Sequence, residues 1–159
     1  MKRILVVDDD RGVRDSLKRI LAESGHDVVL ASDGSQGAQQ IDNEEFDLVV
    51  LDLDLPKLCG FDLLDLLGAH SPTRPVIVLT GMLGDCEPGS LAGADVVLEK
   101  PPDVSLFLSA VSVLLGGSLQ SRMRQACNAP SGRNIRVKPM PPVHAANELR
   151  ATAAAIRNI

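Results

Sequence analysis

A chain of 159 residues, 45% of them apolar and with a net charge of −5, has material for one ordinary core and a modest remainder, which excludes a second full-sized domain. No stretch reaches the roughly 18 uncharged apolar residues of a membrane span. The run Ile4 to Val7 after Met1-Lys2-Arg3 is also too short for a signal peptide, so a cytoplasmic protein off the membrane is expected.

In chain order, Ile4 to Val7 is a short apolar run without alternation, as expected of a strand buried on both faces. Val13, Leu17, Ile20 and Leu21 then share one helical face, and Gly25 stands where a C-terminal cap belongs. Val28 to Ala31 is a second strand, followed by the Asp33-Gly34 turn signal and a weaker helix marked by Ala38 and Ile41. Leu48 to Leu51 is a third strand. After Pro56, the residues Phe61, Leu64 and Leu67, widened by Leu63 and Leu66, predict a third helix.

Val76 to Leu79 is a fourth strand. The stretch from Thr80 to Gly93 carries Gly84, Pro88 and Gly89, all poor inside a helix, so a helix there is expected to be short, distorted or absent. Val96 to Leu98 is the fifth strand. Beyond Pro101-Pro102, Asp103 is placed to cap a helix with Val104, Phe107, Leu108, Val111 and Leu115 on one face, and Gly116-Gly117 ends the pattern. The domain is therefore expected to span residues 1–116.

The remainder is chemically different. Residues 1–116 hold 9 Lys and Arg against 20 Asp and Glu, whereas residues 117–159 hold 7 against 1. Residues 117–142 are rich in Ser, Arg, Asn, Gly and Pro and predict a flexible linker. Residues 143–159, with Leu149 and Ile156 on a narrow stripe, predict a short amphipathic helix in need of a partner. No full output domain fits in this tail. Its basic charge admits contact with nucleic acid, but the absence of a helix-turn-helix pair and of stacking aromatics argues against it.

Cys59, Cys86 and Cys127 are odd in number and far apart, with no histidine at metal-ligand spacing, so reduced thiols rather than a disulfide framework or zinc site are expected.

Strands alternating with helices predict an α/β protein with a doubly wound, five-stranded parallel sheet, and such sheets carry their functional residues at the carboxyl ends of the strands. Asp8-Asp9-Asp10 follows the first strand, Asp52 the third, Thr80 the fourth and Lys100 the fifth. Taken singly, each has an ordinary explanation: a solvated acidic turn, a strand-end cap, a Lys-Pro loop. Together, several carboxylates at one sheet edge repel one another and require a cation. Oxygen-only ligands with an open side suit Mg²⁺, and Lys100 supplies a fixed positive charge. A carboxylate beside such cations is arranged to accept a phosphoryl group, and Asp52 is the natural nucleophile.

These residues resemble the receiver domain of bacterial response regulators. The likeness rests on Ile4-Leu5-Val6-Val7-Asp8-Asp9-Asp10, on Leu51-Asp52-Leu53-Asp54-Leu55-Pro56 with Gly60, on Val78-Leu79-Thr80-Gly81, and on Gly93-Ala94-Asp95 running to Lys100-Pro101. It implies the flavodoxin-like strand order 2-1-3-4-5 and a signalling module rather than a turnover enzyme. It further implies Mg²⁺ held by Asp8, Asp9, Asp52 and the backbone carbonyl of Asp54, with Asp52 as phosphoacceptor, Thr80 as switch hydroxyl and Lys100 as the family's lysine.

The implied donor is a sensor histidine kinase or a phosphotransfer protein. The downstream partner stays open, with a homodimer among the options. The resemblance also suggests a cis bond between Lys100 and Pro101. Val97 stands where receivers usually carry an aromatic that moves with the threonine, and the chain has no Tyr or Trp, so ring rotation is not available to its switch. Asp52-Leu53-Asp54 also resembles the nucleophile motif of haloacid-dehalogenase-like phosphatases, but an acidic pair preceding the nucleophile argues against that order. A DNA-binding regulator acting through the tail is the third reading.

Overall fold

Successive residues of a strand point to opposite faces of a sheet, so a strand apolar at every position needs cover on both sides. The computed structural model, which describes residues 1–71, 73–81 and 91–116 and the backbone of 136–137, provides that cover. Strands β1 (Arg3–Val7), β2 (Asp27–Ala31), β3 (Leu48–Asp52), β4 (Val76–Thr80) and β5 (Val96–Glu99) are all parallel, in the order β2-β1-β3-β4-β5. The expected sheet and strand order are both present.

Between them run α1 (Arg11–Glu23), α2 (Gly34–Asn43), α3 (Gly60–His70) and, after β5, α4 (Val104–Leu114). Ile4, Val6, Leu48, Val50, Ile77 and Leu79 pack with Leu17 and Leu21 of α1 and Phe107 and Val111 of α4. Leu5, Val7, Val49, Leu51 and Val78 go the other way, onto Ile41 of α2 and Leu63, Leu64 and Leu67 of α3. This partition explains why the strands show no alternation of polarity.

The helix starts follow local chemistry. Asp10, Asp33 and Asp103 accept the amides of Val13, Gln36 and Leu106 at 3.1, 2.9 and 3.0 Å, satisfying donors the helices leave unpaired, each worth about 1 kcal/mol. Gly25 closes α1 with φ +83°. The Asp103 cap matches its expectation, but Val104 is 48% exposed. At the first position of α4 it joins neither apolar cluster, and the buried face of that helix is centred on Phe107 and Val111.

One addition was not legible in the apolar pattern. Arg136–Val137 forms a short strand, β6, antiparallel to β5, with Val137 opposite Val96 and Arg136 opposite Val97. The rest of the predicted linker at 117–142 and the predicted helix at 143–159 lie outside the described residues, as does the segment 82–90 where a degraded helix was expected.

Gly60 sets how close α3 comes to the functional edge. A Cβ there would stand 2.3 Å from the carbonyl oxygen of Asp52 and 2.4 Å from Leu53 Cα, so backbone atoms would have to move. Gly60→Ala is therefore expected to destabilise the domain by about 2–3 kcal/mol through overpacking. The check is a thermal melt followed by circular dichroism, in which an unchanged midpoint would show that the loop relaxes freely.

Candidate functional site

Parallel strands in near register bring their carboxyl ends to one edge: Val7 lies beside Leu51, Asp52 beside Leu79, and Thr80 beside Glu99. The residues just past or at those ends therefore converge. Asp8, Asp52 and Thr80 are buried, with 1%, 3% and 0% of their surface exposed, while Asp9 is open to solvent. Carboxylate oxygens of Asp8, Asp9 and Asp52 lie within 4.8 Å of one another. Lys100 reaches in so that its Nζ is 2.6 Å from Asp8 Oδ2 and 2.7 Å from Asp52 Oδ2.

Backbone groups fix the carboxylates from the other side. The amide of Asp10 donates to Asp8 Oδ1 at 2.9 Å, and the amide of Asp54 donates to Asp52 Oδ1 at 3.2 Å. Lys100 N donates to the carbonyl of Thr80 at 3.0 Å, tying the ends of β4 and β5 together, and the Lys100–Pro101 bond is cis. The structure thus gathers Asp8, Asp9, Asp52, Thr80 and Lys100 and sets the exposed Asp54 alongside.

Two carboxylates share one lysine, and the titration of the group reflects it. Burial pushes the Asp8 carboxyl above its ordinary value, with the Asp52 charge adding to the rise; Lys100 and the Asp10 amide oppose it without cancelling it. Burial also works against the Lys100 charge, but its hydrogen bonds to Asp52 and Asp8 outweigh that and raise its pKa, so the lysine stays an ammonium. The site therefore keeps a negative excess that one cation does not neutralise. A hard divalent ion fits this all-oxygen donor set, with Asp9 on the solvent side to admit it.

Arg14 and Lys57 were not singled out from the sequence, and Gly34 was read only as part of a turn signal. Arg14 Nη1 donates to the Asp8 carbonyl at 2.6 Å from the first turn of α1; its place one turn after the cap Asp10 was the available signal. Lys57 holds φ +71°, in the left-handed region, and its Nζ is 2.7 Å from Asp33 Oδ2. Gly34 lies so close to this loop that a Cβ would meet the Leu58 carbonyl oxygen at 2.1 Å. The loop after β3 is thus clamped to the start of α2. Val97, by contrast, is where the sequence put it: 4% exposed, it packs in the cluster under α2 and α3.

The clamp carries an acid-sensitive contribution. The Lys57 ammonium, and then the Gln36 amide, hold the Asp33 carboxyl below its ordinary value of 3.8. A group depressed in the folded state stabilises above its unfolded value and loses that contribution as pH falls through the folded value. Asp33→Asn should therefore lower the melting temperature at neutral pH and narrow the difference from wild type in strong acid. Melts at pH 7 and near pH 3 check this, and an equal deficit at both would remove the ion pair from the account.

Residues 4–112 match the family model described as the response regulator receiver domain. Response regulator MprA of Mycobacterium sp. strain KMS is 41% identical over 115 residues, covering 71% of this chain and 50% of that protein. The Mycobacterium leprae protein of the same name is 37% identical over the same coverage. The chain spans about half the length of these curated relatives.

Among solved structures, the Thermotoga maritima response regulator TrrA, in complex with Mg(2+)-BeF, superposes with TM-score 0.68 at 29% identity over 72% of this chain and 99% of that one. A CheY-like receiver domain from Methanospirillum hungatei gives 0.67 at 33% identity over 72% and 94%. With the acidic cluster, the lysine and the strand order all in place, the chain belongs to the response regulator receiver domain family of two-component signalling.

Proposed function

We propose that Asp52 accepts a phosphoryl group from a phosphohistidine of a sensor histidine kinase or phosphotransfer protein, and that the modified domain then changes its binding of a downstream partner. The observation that carries this is the Lys100 ammonium, 2.7 Å from Asp52 Oδ2 and 2.6 Å from Asp8 Oδ2, inside a group of three carboxylates.

In the transfer, a carboxylate oxygen of Asp52 forms a bond to phosphorus as the phosphorus–nitrogen bond breaks. The imidazole leaves with the electron pair and remains on the donor, and Asp52 becomes an acyl phosphate. Lys100, already at the acceptor, stays charged and holds phosphoryl oxygens where negative charge accumulates.

Asp8, Asp9 and Asp52, with the carbonyl of Asp54, would hold Mg²⁺, which when bound neutralises the transferred oxygens. Thr80, buried at the end of β4, would turn its hydroxyl toward the new phosphoryl group. The repacking that follows would be read without a rotating ring, because Val97 is an aliphatic core residue. Turnover is then confined to the domain's own phosphorylation and dephosphorylation.

Incubation with acetyl phosphate and Mg²⁺, followed by intact mass, tests the reading. One labile acyl phosphate adduct, not formed when the metal is chelated beforehand, is expected. Sustained multiple turnover of general phosphate esters would replace it with a phosphatase.

A further inference from the structure

The outer edge of β5 is a row of backbone donors and acceptors that needs a partner. Val96, Val97 and Leu98 are buried on their side-chain faces, so only this main-chain edge is addressable. An unguarded edge pairs with whatever extended segment reaches it. Here the segment is Arg136–Val137, antiparallel, with Val137 opposite Val96 and Arg136 opposite Val97. We infer that the β5 edge is a docking surface for an extended basic segment, and that its occupant is this chain's own tail around Arg136–Val137, seated in cis.

Charge supports the pairing. Asp95, Glu99 and Asp103 lie in or beside β5, while the docked pair includes Arg136, the sequence on either side of it supplies Arg133 and Lys138, and no acidic residue occurs between Asp103 and Glu148. Over the whole chain the body has 20 acidic residues against 9 basic, and residues 117–159 have 7 basic against 1 acidic. The tail is therefore attracted to the body over a range of about a Debye length, roughly 10 Å.

Reach also favours the same chain. The direction of β6 requires the chain to return past the 11 residues of α4, about 16 Å of helix. Residues 117–135 can span up to roughly 60 Å when extended. Closing such a loop costs little, and a tethered segment meets its site at an effective concentration on the order of millimolar. A second copy at micromolar concentration competes poorly, so the docked tail guards the edge against sheet-to-sheet pairing between molecules.

The test compares full-length protein with the full-length double variant Arg136→Pro/Val137→Pro, whose prolines cannot donate to the ladder. Hydrogen exchange of residues 96–99 is expected to quicken by about tenfold or more. Exchange in β1 and β3 should stay the same, which shows that the fold persists. High salt and Arg136→Glu should each move the wild-type exchange in the same direction, and protection should not change on hundredfold dilution. Equal exchange in wild type and the proline variant would overturn the inference. So would protection that falls with dilution, because that would place the strand on a second molecule.

Discussion

Asp52→Asn is expected to abolish phosphoryl labelling completely and at the same time to raise the melting temperature. The chemical half follows from the nucleophile: a carboxamide oxygen lacks the charge that attacks phosphorus, and of the two other carboxylates gathered there Asp9 is exposed, while burial pushes the Asp8 carboxyl toward its neutral, less nucleophilic form.

The stability half follows from electrostatics. Asp8 and Asp52 are both buried and compete for one ammonium at 2.6 and 2.7 Å. A neutral isostere at Asp52 removes the repulsion and leaves Lys100 paired with Asp8, and the burial-driven rise of the Asp8 carboxyl loses its contribution from Asp52. A gain of about 1 kcal/mol, or roughly 4 °C for a domain of this size, is expected. Intact mass after acetyl phosphate treatment and calorimetry read the two halves independently. A persisting adduct would move the acceptor elsewhere, and a lowered midpoint would show that the carboxylates are not in conflict.

That conflict was legible in the sequence because it depends on topology alone: acidic residues at the ends of neighbouring parallel strands must meet. The strands themselves were legible because burial on both faces leaves contiguous runs such as Leu48 to Leu51, every one of them buried. The clamp between Lys57 and Asp33 was not, since it depends on a single left-handed residue in a loop that neither periodicity nor a glycine marks. Val104 fits the helical period yet stands 48% exposed, because periodicity identifies a face without saying how far along the helix its cover extends. β6 escaped for a related reason: two residues joined by main-chain bonds to an open edge leave no hydrophobic signature.

Lys100→Met keeps the length of the side chain and removes its charge, and it is expected to damage chemistry and stability together. Labelling by acetyl phosphate should slow by about 10²–10³-fold, the usual cost of deleting one preorganised charge from a transfer site. Leaving buried charges unpaired costs about 3–5 kcal/mol when nothing relaxes. Lys100 is 22% exposed and one carboxylate can take up a proton, so about 2 kcal/mol is expected at neutral pH.

The sign of the pH dependence distinguishes this loss from generic damage. With the lysine gone, the Asp8 carboxyl, which burial already holds above its ordinary value, loses the partner that opposed the rise, so the folded variant binds a proton more readily and regains stability as pH falls from neutral toward the range where Asp8 protonates. Adding Asp52→Asn to Lys100→Met should then restore most of the lost stability but none of the labelling. A double-mutant cycle on melting temperature measures that coupling directly. Simple additivity would mean that Lys100 acts in this fold by packing its chain rather than by holding two carboxylates together.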